Sequence, residues 1–165
     1  MADLTNLESK LGEVAGLAMA AKTATQKVMK LAREDDNDMV VSLLERMQEE
    51  AAETEQRCTD LAGTFDGKKT AILEEARETK EKASRMLEIY LDDESDVLDG
   101  FEFLTMAEAG EAGHWEVLEQ MAKSAKDSQV QELVDWALPI QQRHFESARD
   151  TSAKLAADEN PNEES

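Results

Sequence analysis

A chain of 165 residues is long enough to bury a real core in one ordinary domain without disulfides or a structural metal. Its 38 acidic against 18 basic residues give a formal charge of −20. That charge repels nucleic-acid backbones and anionic lipid surfaces, argues against both as partners, and reads either as a solvated, salt-tuned surface or as a field for cations and basic proteins.

The N-terminus reads Met-Ala-Asp-Leu-Thr, without the basic start and apolar run of a signal peptide, and no stretch approaches the ~18 apolar residues of a membrane span. The expectation is a cytoplasmic protein that does not enter a membrane. Leu4, Leu7, Leu11, Val14, Ala18, Ala21, Thr25, Val28 and Ala32 then recur in steps of three and four, which predicts a helix over residues 3–33. The acidic run 34–38 ends it and supplies caps for the next helix. A second stripe of Val40, Leu44, Met47, Ala51, Thr54, Cys58, Leu61 and Phe65 predicts a helix over 37–64, stopped by Gly63 and the Asp66-Gly67 turn. The lone cysteine, Cys58, lies in that stripe as a small core residue, and a single thiol suits a reducing compartment.

Residues 69–91 keep a helical period with a thinner apolar face of Ile72, Ala76, Ala83, Met86, Leu87 and Tyr90, as a crossover helix would. A helix over 96–125 follows Ser95 and Asp96, with Val97, Phe101, Leu104, Trp115, Leu118, Ala122 and Ala125 on its stripe. Glu108 and Glu111 occupy stripe positions where apolar residues belong. The last helix, 128–157, carries Val130, Leu133, Val134, Ala137, Ile140, Ala148, Thr151 and Leu155, again with a polar residue, His144, in the stripe. Pro139 falls inside it, removes one backbone donor and frees the carbonyl of Asp135, so a kink is expected there. The acidic tail 158–165, with Pro161, is expected to be disordered.

Four segments of about thirty residues make rods of roughly 45 Å that match for bundling. Short links make the first and last pairs antiparallel hairpins, and the long crossover lets the second hairpin dock on the first: an all-α, ferritin-like four-helix bundle spanning 1–157. An elongated coiled coil is the alternative, since heptads persist through the first two helices.

With the last turn centred near residue 126, position 108 faces 144 and position 111 faces 141. The polar intruders of both helices thus share one level, with His114 three residues beyond Glu111 at the edge of that face. Buried carboxylates are costly unless paired, hydrogen-bonded or metal-bound. Two readings follow. One is a carboxylate and histidine metal site built on Glu-x-x-His spacing. The other is a metal-free buried network of Glu108, Glu111, Gln141 and His144 with bound water.

The stretches Lys30-Leu31-Ala32-Arg33, Glu49-Glu50, Glu53-Thr54 and Glu111-Ala112-Gly113-His114-Trp115-Glu116 resemble the bacterial stress-induced ferritin-like family over residues 15–157. The resemblance implies two long helical hairpins, a shorter crossover helix and a metal site in the bundle centre. Carried onto this chain, the candidate ligands for iron or manganese are Glu50, Glu108, Glu111, His114 and His144. Two positions depart from the pattern. Ala21, before Lys22, stands where the family places a glutamate, and Gln141 stands where it carries an acid.

The functional expectation is a non-catalytic, stress-related or interaction protein with a degenerate polar core site. The alternative is an iron- or manganese-binding protein with oxygen or peroxide redox chemistry. Open partners are a divalent cation, further copies of the chain and another protein. The chain has no phosphate-cradling glycine loop, and Cys58 has no evident histidine partner, which disfavours other enzyme classes.

Overall fold

The computed structural model describes residues 2–164; Met1 of the expected bundle unit and Ser165 of the expected tail lie outside the described residues. Five helices, α1 (Asn6–Glu34), α2 (Asp38–Ala62), α3 (Lys69–Tyr90), α4 (Val97–Ala125) and α5 (Ser128–Ala157), account for the regular structure, and no strand occurs among the described residues.

The helix ends follow from their caps. Thr5 accepts from Glu8 N at 3.2 Å while Glu8 returns to Thr5 N at 2.7 Å, a reciprocal pair that starts α1 three residues later than its apolar period suggests. Asp96 and Asp99 repeat the device on α4. Asn37 and Asp127 each cap the second helix of a hairpin, accepting from Val40 N and Val130 N. Lys126 takes the left-handed conformation, φ 56°, that reverses the chain between α4 and α5. α5 continues as helix through Pro139, whose side is exposed.

The pairs α1–α2 and α4–α5 are antiparallel hairpins. Arg33 reaches Glu45 and Lys22 reaches Glu55 across the first, and Thr105 bonds Ser152 across the second. The hairpins meet through α1 on α4 and, less extensively, α2 on α5. The connecting α3 lies along α1 far more closely than its thin apolar face suggests. Gly12 and Gly16 allow this: a Cβ on Gly12 would stand 2.7 Å from the Ile72 carbonyl oxygen, and one on Gly16 2.7 Å from Thr79 Cβ. On α3 only Ala71, Ile72, Ala76 and Leu87 are buried, while Met86 and Tyr90, expected on its inner face, are exposed.

The core divides in two. One cluster gathers Leu11, Val14, Cys58, Ile72, Trp115 and Val130. The other gathers Val28, Leu44, Phe101, Leu104 and Ala148. Each fully buried side chain of this size contributes roughly 1.5–3 kcal/mol. Between the clusters, along α4 and α5, lie the buried polar residues Glu108, Glu111, Gln141 and His144.

Among the described residues no helix is long and apolar enough to cross a membrane. Trp115 is fully buried, whereas Trp136 is half-buried with the Arg57 guanidinium 4.0 Å from its ring centroid.

Candidate functional site

Of the two pairs expected across the α4–α5 hairpin, Glu108 and His144 meet, whereas Gln141 reaches Glu108 in place of Glu111. His144 Nδ1 lies 3.6 Å from Glu108 Oε2, and the Gln141 amide donates to the same oxygen and, at 3.4 Å, to the Glu108 backbone carbonyl. Three-residue spacing puts Glu108 and Glu111 on one face of α4, and Gln141 and His144 on the opposing face of α5. The other ring nitrogen of His144 is 3.3 Å from Glu50 Oε2 on α2, so the imidazole bridges two carboxylates. Arg143, at the solvent edge, donates to that same Glu50 oxygen. The result is a chain of contacts, Arg143–Glu50–His144–Glu108–Gln141, running from surface to core.

Glu111 stands apart from that chain. Only 5% of its surface is exposed, yet among the described residues its carboxylate takes part in no ion pair. Burial, and then the neighbouring charge of Glu108, hold its carboxyl well above the ordinary value of 4.5. The indole N–H of Trp115, one turn along and without another partner, interacts with the carboxylate and opposes the shift. Cys58 faces the same region from α2. Burial first, then the charges of Glu111 and Glu55, raise its thiol well above its ordinary range, which disfavours the reactive thiolate.

On the α1 side, Glu108 and Glu111 border a cavity of about 230 Å³ between α1, α3 and α4. Small residues open it: Ala20, Ala21 and Ala24 on α1, Ala83 and Ser84 on α3, and Gly110 on α4. Leu17, Leu87, Phe103 and Leu104 form its apolar walls, and Met86 and Met106 lie at its exposed side. Lys22, the cation nearest to Ala21 in sequence, points to Glu55 at 2.6 Å instead.

The candidate ligands therefore separate. Glu50, Glu108 and His144 are joined, and Glu111 lies near Glu108, both bordering the cavity. His114 sits at the cavity margin, 3.2 Å from Glu13 Oε2 and 3.3 Å from Lys10 Nζ on α1, and is held away from the carboxylates by those partners. As arranged, no three His, Cys, Asp or Glu side chains among the described residues converge on a point as ligands to one ion. An iron or manganese ion would require these side chains to rearrange.

Sequence reasoning missed Arg143 as the clamp on Glu50 and missed the cavity altogether. A signal for the cavity exists: Ala20, Ala21 and Ala24 leave this face of α1 with little bulk opposite two core glutamates. Nothing comparable marks Arg143, whose role depends on how α2 meets α5. Compared with protein-family models, curated proteins and solved structures, the chain matches none.

Proposed function

We propose that this chain is a ferritin-like bundle whose central ligand positions have become a hydrogen-bonded polar network, and that it works in the cytoplasm as a non-catalytic, stress-related or interaction protein. The observation that supports this most is the occupancy of the carboxylates. Glu108 Oε2 is taken by Gln141 and His144, and Glu50 Oε2 by Arg143 and His144. A metal binding through these Oε2 oxygens would have to displace the Gln141 amide from Glu108 and the Arg143 guanidinium from Glu50, with the His144 ring beside both. Helix α1 offers only apolar side chains, Leu17, Ala20, Ala21 and Ala24, on the cavity that Glu108 and Glu111 border.

The second reading is an iron- or manganese-binding protein with oxygen or peroxide redox chemistry. It draws on Glu111, a buried carboxylate left without an ion-pair partner beside Glu108. Elemental analysis of protein purified without chelators or a histidine tag separates the two, paired with an optical spectrum taken in iron and oxygen. The network reading expects substoichiometric metal, a featureless spectrum and a melting temperature indifferent to added iron or manganese. Metal near one ion per chain, with a metal-dependent rise in melting temperature, would overturn it in favour of the second.

A further inference from the structure

The cavity between α1, α3 and α4 combines an apolar enclosure with one unsatisfied acid. Glu111 is nine-tenths buried, borders the cavity and has no ion-pair partner among the described residues, the Trp115 indole N–H being the one polar group that acts on it, and Glu108 borders the cavity beside it. A carboxylate so placed is costly to ionise unless a cation reaches it. Among the described residues no cation pairs with it, and His114 at the cavity margin lies against Glu13 and Lys10. Lys22 is spent on Glu55 and Lys10 on Glu13, while Arg143 lies against Glu50 at the other side of the His144 ring.

A divalent ion needs several oxygen or nitrogen ligands around it, and the described residues do not converge three. A ligand with one ammonium and an apolar body makes a smaller demand: one or two carboxylates at one end and hydrocarbon walls elsewhere. The cavity supplies both, with Leu17, Leu87 and Phe103 as walls. At about 230 Å³ it falls below the ~300–1,000 Å³ of sites for drug-sized ligands, so the body is a single ring or a short alkyl chain.

We propose that this cavity is a binding site for a small monocationic amine with an apolar body, the ammonium seated on Glu111 and Glu108 and the body lying between α1 and α3. The inference rests on the metal-free reading of the polar network, because a metal would take the same carboxylates. Transfer of the ligand's hydrocarbon from water supplies the affinity, and the buried acid supplies selection for charge.

The test uses full-length protein stripped with chelator and then dialysed, its residual metal measured on the same sample. Binding of 2-phenylethylamine, hexylamine and the neutral 2-phenylethanol is followed by calorimetry, and by Trp115 fluorescence in a Trp136→Phe background. Saturable one-site binding of at least one amine is expected, with 2-phenylethanol at least about tenfold weaker. The stronger amine decides whether the body is aryl or alkyl. Glu111→Gln should weaken amine binding about tenfold or more while leaving 2-phenylethanol unchanged. Ala83→Leu, which fills the cavity from the half-buried side of α3, should abolish amine binding in a protein that still melts cooperatively. No saturation by either amine up to about 10 mM, equal affinity for amine and alcohol, or full affinity in Glu111→Gln would each overturn the proposal. Metal near one ion per chain in untreated protein would instead overturn the metal-free reading, which keeps the two failures apart.

Discussion

Glu108 is held from two directions, by the Gln141 amide and by the His144 ring, at a point where only 2% of its surface meets solvent. Removing either partner of such a buried contact leaves the other unsatisfied, at a cost of about 3 kcal/mol or more, whereas removing both costs less than the two single changes together. Urea unfolding of Glu108→Gln, His144→Gln and the double variant should show that non-additivity. Small, additive losses would mean that the two side chains do not interact. Glu111 carries a different signature. Burial, and then Glu108, raise its folded-state value above the ordinary 4.5, so the folded protein holds this proton more tightly than the unfolded chain does. The associated stability is complete below the unfolded value and is lost as pH rises through the raised folded value. The difference in unfolding free energy between wild type and Glu111→Gln should therefore move against the wild type as pH rises above the ordinary carboxylate value of 4.5. A difference independent of pH would show that Glu111 titrates in the folded protein as it does unfolded.

Packing of α3 on α1 is an element-scale property, controlled by the absence of two side chains. Gly12 and Gly16 let the α3 backbone approach so closely that an added Cβ would meet backbone oxygen or a Thr79 carbon. Gly16→Ala gains up to about 1 kcal/mol of helix propensity but forces the two backbones apart, and overpacking of this kind costs about 1–3 kcal/mol. A net loss of stability is expected, with faster amide exchange along α3. Gly113 on α4 is the control, because nothing stands within 4 Å of an added Cβ. Gly113→Ala should stabilise the fold by about 0.5–1 kcal/mol, and both effects are readable as shifts in the urea midpoint. If Gly16→Ala stabilised as much as Gly113→Ala, the close approach of α3 would be refuted. Since α3 also walls the cavity through Ala83 and Leu87, loosening it would enlarge the site as well.

For the whole molecule the governing quantity is charge. A formal −20 spread over one bundle opposes compaction, and the ion pairs seen are mostly exposed contacts worth little individually. Salt shortens the screening length from about 30 Å at 0.01 M to about 3 Å at 1 M, which weakens the net repulsion more than it weakens those pairs. The melting temperature should rise by a few degrees between these limits. A fall would show that attractive surface pairs outweigh the repulsion.

Helix number, order and ends were written into the sequence, because apolar period and capping chemistry act locally: the five expected spans agree with the observed ones within three residues at every end. The level shared by Glu108, Gln141 and His144 was legible for the same reason, since a short turn between two helices sets their register. The contacts that only tertiary structure decided all cross elements distant in the chain. Arg143 and His144 meet Glu50 from more than ninety residues away, His114 turns to Lys10 and Glu13 instead of the core, and α3 settles into a groove made by two glycines. Periodicity describes which face of a helix is buried. It carries no information on which neighbour covers that face, and still less on the space left where three helices meet over small residues.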